Sequence, residues 1–286
     1  MQVISLLCPT RGRAALFKRM CEAIYATTEN IAAIELIAYV DEDDKASYEL
    51  DFAGVPGKTL ILPKEPMAVA NKLCLDNAQG DIIVLMNDDV VLRTKGWDRL
   101  LREKVAQFPD EIYIAYPNDL FKQGKLCTFP IISRKTYEIF VDPFPAQYEG
   151  NFIDTHLFDI FQRLKKQGFN RIIYCQDIIF EHMHYRLGKG EFDETYRARR
   201  RFGNDVHFIE LSDQRSDAAL RLQQMIQGLP MLPFQSKSRH IKINSFVTAV
   251  FTYIRLFALN RALPWRWRLW LFTHFSARYW AQKIIR

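Results

Sequence analysis

Asn87-Asp88-Asp89 closes an uninterrupted apolar run, Ile82 to Met86. Two carboxylates at the end of a buried segment are costly unless something positive sits beside them. A divalent cation bridging a diphosphate would supply that charge, because Mg²⁺ and Mn²⁺ favour oxygen ligands and keep positions open for phosphate. The competing reading is a surface turn, which Asn and Asp favour for local reasons. A second chemical signal is Pro9-Thr10-Arg11-Gly12-Arg13, a turn after the apolar run Val3 to Cys8. A third is Asp41-Glu42-Asp43-Asp44, after Ile34 to Val40. Further on come Asp154, near the expected start of a helix, and the pair His182 and His184 after a short strand.

The elements that must position these residues alternate. Strands are expected at Val3–Cys8, Ile34–Val40, Thr59–Leu62, Ile82–Met86 and Ile112–Tyr116. Helices are expected at Ala14–Thr27, Met67–Ala78 and Gly96–Phe108. Apolar strands without polar alternation, separated by helical patterns, argue for a parallel sheet covered on both faces. In such sheets ligands bind outside the carboxyl ends of the strands. Thr10, Arg11, Asp41, Asp43, Asn87, Asp88 and Asp89 all fall there. Later elements are a strand over Leu126–Arg134, a helix over Phe152–Gly168, two short strands at Arg171–Cys175 and Ile178–Phe180, and a helix over Glu191–Phe202. The Ser236-Lys237-Ser238-Arg239 stretch, with Pro230 and Pro233, reads as a linker.

The order and spacing of these motifs resemble the family 2 inverting glycosyltransferases of the GT-A fold, over roughly residues 1 to 205. The matching pieces are Ser5 to Arg13, Val40-Asp41, Ala70-Asn71-Lys72, Asn77 to Asp81, Leu85 to Val90, Ile153 to Leu157 with Arg163-Leu164, Gly168, and His182 or His184. The resemblance implies an α/β fold, Rossmann-like, with a mostly parallel central sheet flanked by helices. It implies that Pro9, Thr10, Arg11 and Asp41 hold the base and ribose of a nucleotide-sugar donor, commonly UDP-linked, with Asn71, Asn87 and Asp88 alongside. Asp89 matches the metal-ligating end of the D-x-D motif, and His182 or His184 completes a Mn²⁺ or Mg²⁺ site. The first Asp of that motif is Asn87 here, which brings no charge. Asp154 matches the general base that removes the acceptor's proton. The family often has Glu before it, where this chain has Ile153. Glu149 and Asp159 are the alternatives for the base. Two other classes stay open: a non-catalytic nucleotide-sugar or glycan binder, and a nucleotidyltransferase, which would want more than one glycine after the first strand.

The 286 residues are 49% hydrophobic and 25% charged, ordinary for a globular protein. Five scattered cysteines without C-x-x-C spacing argue against a disulfide framework or a zinc site and for reduced thiols in a cytoplasm. Met1 to Cys8 reads as a strand, with no signal-peptide pattern. The net charge of +6 is unevenly spread. No Asp or Glu follows Asp217, while 11 Lys and Arg do, so an acidic body carries a basic tail. The expected division is a catalytic domain over 1–215 and a helical C-terminal extension over 216–286. Four of the five tryptophans lie in that tail, and Trp265-Arg266-Trp267-Arg268-Leu269-Trp270 alternates aromatic and cationic residues. The first reading is an interfacial segment on an anionic membrane surface, at the inner face of the cytoplasmic membrane. That would suit a glycan or lipid-linked acceptor of the cell envelope. The second is a helical extension packed on the body. Nucleic acid is not expected as a partner, since the cations are sparse among large apolar residues.

Overall fold

A computed structural model describes residues 1–198, 201–234, 240–243 and 245–284. The expected linker at Ser236–Arg239 lies outside them, as does part of the expected 191–202 helix, which is helical over Glu194–Ala198. The strands are β1 (Ile4–Thr10), β2 (Ile34–Asp41), β3 (Gly57–Leu62), β4 (Ile82–Leu85), β5 (Val90–Leu92), β6 (Ile114–Asn118), β7 (Ile131–Ser133) and β8 (Ile172–His182). They form one sheet in the order β3-β2-β1-β4-β7-β6-β8-β5. The first four in that order run parallel. β7 is antiparallel to both neighbours, and β5 is antiparallel to β8. The sheet is therefore mostly parallel on one side and mixed on the other.

Period-two alternation on buried strands explains the apolar runs. Leu7, Ile37, Tyr39, Ile83 and Leu85 face one core layer. Ile4, Leu6, Cys8, Leu36, Ala38, Ile82 and Val84 face the other. Helices α1 (Ala14–Thr27) and α3 (Trp97–Val105) cover the second layer with Phe17, Met20, Ile24, Trp97 and Leu101. The first is covered by α2 (Met67–Asp76) and α5 (Ile153–Lys166), together with α8 (Ser212–Ile226). Gly80, between α2 and β4, must be glycine because a Cβ there would stand 2.3 Å from Ser5 Oγ and 2.8 Å from the Val3 carbonyl. That close approach lets the Gly80 N–H donate to Ser5 Oγ at 2.8 Å, tying the start of β4 to β1.

Two expectations are corrected. The strand over Leu126–Arg134 shrinks to β7, because Ser133 caps the short helix α4 (Arg134–Ile139) by accepting from the Thr136 N–H. The two short strands at 171–180 are one, β8, with a register shift between its pairing at Cys175 and at Ile179 that absorbs the polar Gln176-Asp177.

Between α5 and α8 lie α6 (Glu194–Ala198) and α7 (Asp205–Glu210). The expected division at 215/216 falls within α8. Beyond it, α9 (Phe246–Tyr253) and α10 (Trp265–Ile284) add to the first core layer through Ala249, Tyr253, Trp267, Leu271 and Phe275. The Trp267 indole N–H donates to Asp159 Oδ1 at 2.7 Å, and Arg278 pairs with Asp205. All five cysteines are free and buried.

Candidate active site

The carboxyl ends of β1, β2 and β4 lie side by side, and their loops carry the polar groups. Thr10 Oγ1 donates to Asp88 Oδ2 at 2.7 Å. Arg11 donates to Asp41 at 2.7 Å and also pairs with Asp43. Pro9, the one partly exposed residue of β1, stands in register with Tyr39, and Thr10 after it is buried. Asn87 is exposed, whereas Asp88 and Asp89 are each only 4% exposed.

Arg13 supplies the positive partner such a pair needs. Its Nη1 donates to Asp88 Oδ1 at 3.0 Å. Its Nε and Nη2 form a fork on Asp193, at 2.7 and 2.9 Å, and its guanidinium lies 4.6 Å over the Tyr196 ring. Burial, with Asp89 alongside, pushes the Asp88 carboxyl up to about 6 against the pull of Arg13 and Thr10. Burial acts on Asp89 in the same sense. There, however, His182, the Tyr196 hydroxyl and Arg13 outweigh it and hold the carboxyl well below the usual range.

Asp89 Oδ2 accepts from the Tyr196 hydroxyl at 2.6 Å. Its Oδ1 faces His182 Nε2 at 3.4 Å, too long for a good hydrogen bond. Both atoms, and His182 Nδ1, are buried without a hydrogen-bond partner. The sheet sets this geometry: β5 starts directly after Asp89, Val90 stands opposite His182, and the Met183 N–H donates to the Asp89 carbonyl at 2.8 Å. Phe129 and Phe121 pack edge-on against the imidazole.

Among the described residues, no three His, Cys, Asp or Glu side chains come together as a metal-holding group. Asp89 and His182 make a set of two, with the atoms that would ligate left unsatisfied. Two protein ligands suit a divalent cation whose other positions belong to phosphate oxygens and water. His184 lies next to the pair: its ring meets that of His182 edge to face at 5.0 Å between centroids, its face stacks on Tyr185, and its Nδ1 accepts from the Arg186 N–H.

Other expected site residues lie on separate elements. Asn71 is on the buried side of α2, its Nδ2 donating to the Met67 carbonyl at 2.9 Å and its Oδ1 buried without a donor. Asp154 is half-buried in the first turn of α5, where its Oδ1 accepts from the Thr155 N–H at 2.7 Å. Burial first, and then the Asp154 charge, push up the thiol of Cys127, two residues from Phe129. Phe152, just before α5, holds φ at 73°, a left-handed conformation costly for a bulky side chain. The tilted ring of Phe208 and the stacked ring of Phe275 of the tail pack against it. Asp159 is fully buried and accepts from Arg163, Arg215 and Trp267, so it is closed to any substrate. For the alternative Glu149, the backbone carbonyl caps the start of α2.

Arg13, Asp193 and Tyr196 are the participants not singled out from sequence. Arg13 was visible two residues past Arg11, but its target was not. Asp193 and Tyr196 reach the site from a segment after β8, which Thr195 also fastens by donating to the Arg11 carbonyl at 3.1 Å. Gly190 in this segment is fixed by close approach, since a Cβ would stand 2.3 Å from the Met183 carbonyl.

Comparison with solved structures identifies the architecture. The chain matches Staphylococcus aureus TarS residues 1–349 with a TM-score of 0.51 at 10% identity, covering 96% of this chain and 88% of that one. The fold is GT-A-like. Looser matches are the mannosyltransferase PcManGT from Pyrobaculum calidifontis, solved with GDP-Man and Mn²⁺ (TM-score 0.47, 13% identity, 98% and 75% covered). Another is the glucosyl-3-phosphoglycerate synthase from Mycobacterium tuberculosis, solved with Mg²⁺ and UDP (TM-score 0.45, 13% identity, 80% of each chain). No protein-family model and no curated protein sequence matches the chain.

Proposed function

We propose that this chain is an inverting glycosyltransferase that moves a sugar from a nucleotide-sugar donor, UDP-linked, to a hydroxyl of a saccharide or lipid-linked glycan. One observation carries the reading. At the carboxyl edge of the sheet, Asp89 Oδ1 and His182 Nε2 face each other at 3.4 Å, buried and without a hydrogen-bond partner, next to the Arg13–Asp88 pair. Unsatisfied buried polar atoms are costly and persist where a ligand completes them.

Asp89 and His182 would hold the divalent ion, and an imidazole ligand favours Mn²⁺ over Mg²⁺. An ion held there would offset the charge that develops on the leaving nucleoside diphosphate. The chain's own residues do the rest. Thr10, Arg11 and Asp41 at the ends of β1 and β2 take the base and ribose. Arg13 exchanges Asp193 for the diphosphate, which brings the same kind of oxygen acceptors to the same fork. Tyr196 gives up Asp89 as donor enters. Asp154 accepts the proton of the acceptor hydroxyl at a carboxylate oxygen as that hydroxyl attacks the anomeric carbon. Attack opposite the leaving group inverts the configuration, with no covalent sugar-protein intermediate.

The test is turnover of UDP-, GDP-, dTDP- and CMP-sugars with Mn²⁺ across an acceptor panel, with product configuration read by NMR. Inverted product from one donor class supports the reading. Retained configuration contradicts it. Donor binding without transfer to any acceptor would favour the non-catalytic binder, which the exposed Asn87 in place of a carboxylate would suit.

A further inference from the structure

The C-terminal helices spend one face on the core and leave the other uncovered. At 100° per residue, Trp267, Leu271 and Phe275 of α10 share one side, and all three are buried. Trp265, Leu269 and Trp280 share the opposite side and are 66%, 55% and 51% exposed. The neighbouring α9 repeats the pattern. Ala249 and Tyr253 are buried, while Phe246, Val247 and Phe251 are exposed. Val247 and Phe251 lie opposite Ala249 and Tyr253, while Phe246, exposed at the start of α9, lies 4.9 Å from the Trp280 ring and links the two helices.

What fits this face follows from its charge. Arg255 continues the Val247–Phe251 stripe at a spacing of four, and Arg266 and Lys283 flank the exposed tryptophans. All three are exposed, as is Arg261 between the helices, and among the described residues none of the four pairs with a carboxylate. A second copy of the chain would set these cations against themselves. Large aromatic rings bordered by unopposed arginines match the lipid headgroup layer, where indole rings settle and arginine meets phosphate. No helix among the described residues is long and apolar enough to cross a membrane, so the contact would lie in the plane of the surface.

We propose that the uncovered face of α9 and α10 docks on an anionic lipid surface, with Trp265, Leu269 and Trp280 in the headgroup layer and Arg255, Arg266 and Lys283 against phosphate. This holds whether or not sugar transfer is the reaction, because none of these residues belongs to the site at the sheet edge.

The test is sedimentation of the full chain with vesicles of phosphatidylcholine alone or with about one-third phosphatidylglycerol. Binding to the anionic vesicles should exceed that to neutral ones by about tenfold or more and weaken in high salt. The triple change Trp265→Ser, Leu269→Ser, Trp280→Ser should cut binding about tenfold with the melting temperature preserved, since these side chains are outside the core. Arg255→Glu with Arg266→Glu should abolish the preference for anionic lipid. Equal binding to both vesicle types, or variants that bind as wild type, would overturn the proposal. So would self-association by light scattering that the serine changes abolish while lipid binding stays absent.

Discussion

Trp267 of α10 and Asp159 of α5 are joined by a 2.7 Å hydrogen bond inside the core, where Arg163 and Arg215 also reach the same carboxylate. The tail is thereby part of the body's packing. A buried carboxylate with three donors is stable only while all are present, because losing one leaves an uncompensated acceptor. Trp267→Phe keeps the ring and removes the N–H, and is expected to lower unfolding free energy by about 1–3 kcal/mol in urea melts. A loss below about 0.5 kcal/mol would show that the bond contributes little.

The tail also gives the fold an acid sensitivity. Burial first, then Arg278 and Lys122, push His274 down to about 4 from an ordinary value near 6.5. The unfolded chain therefore binds the extra proton between those values. Stability is full above about pH 6.5 and is lost as pH falls towards 4, by on the order of 2–3 kcal/mol. His274→Gln should flatten that part of the stability profile measured by chemical melts from pH 7 to pH 4. An unchanged slope would assign the loss to other groups.

Asp193 and Tyr196 occupy Arg13 and Asp89, and in the proposed reaction the donor would displace both. Asp193→Asn weakens the competing pair and leaves Thr10, Arg11 and Asp41 unchanged. It is expected to tighten Mn²⁺-dependent nucleotide binding about threefold or more, while Arg13→Ala weakens it, by calorimetry. Opposite signs for these two changes are the signature. A loss in both would make Asp193 part of the binding surface.

Asp154→Asn removes the proposed base and keeps the shape of the α5 start. Turnover should fall about 10²- to 10⁴-fold with donor affinity nearly unchanged. A fall of less than about tenfold would move the base elsewhere, and Asp159 is closed to that role by its burial.

The legible parts of the molecule are those set by local pattern. Ile82 to Met86 reads as a buried strand because both faces of β4 are covered, and the Asp pair after it stands out for that reason. Thr10, Arg11 and Asp41 follow from the same logic on β1 and β2. The polar Gln176-Asp177 reads as a break between two strands because a register shift leaves no periodic trace. Arg13, Asp193 and Tyr196 meet only through tertiary structure, Asp193 lying 180 residues from Arg13. In the tail, the alternation of aromatic and cationic residues was plain. Which tryptophan faces inward was not, since Trp265 and Trp267 differ by two positions on a helix whose faces turn over in that distance.

The most direct test of the central claim is a thermal-shift panel of UDP, GDP, dTDP and CMP, each with and without Mn²⁺, on wild type and Asp89→Ala. One nucleotide is expected to raise the melting temperature only with Mn²⁺. At about 100 times its dissociation constant the ligand would add roughly 2.7 kcal/mol, and Asp89→Ala should erase the shift. No shift with any nucleotide, or a shift that survives Asp89→Ala, would contradict a metal-assisted donor site at the end of β4.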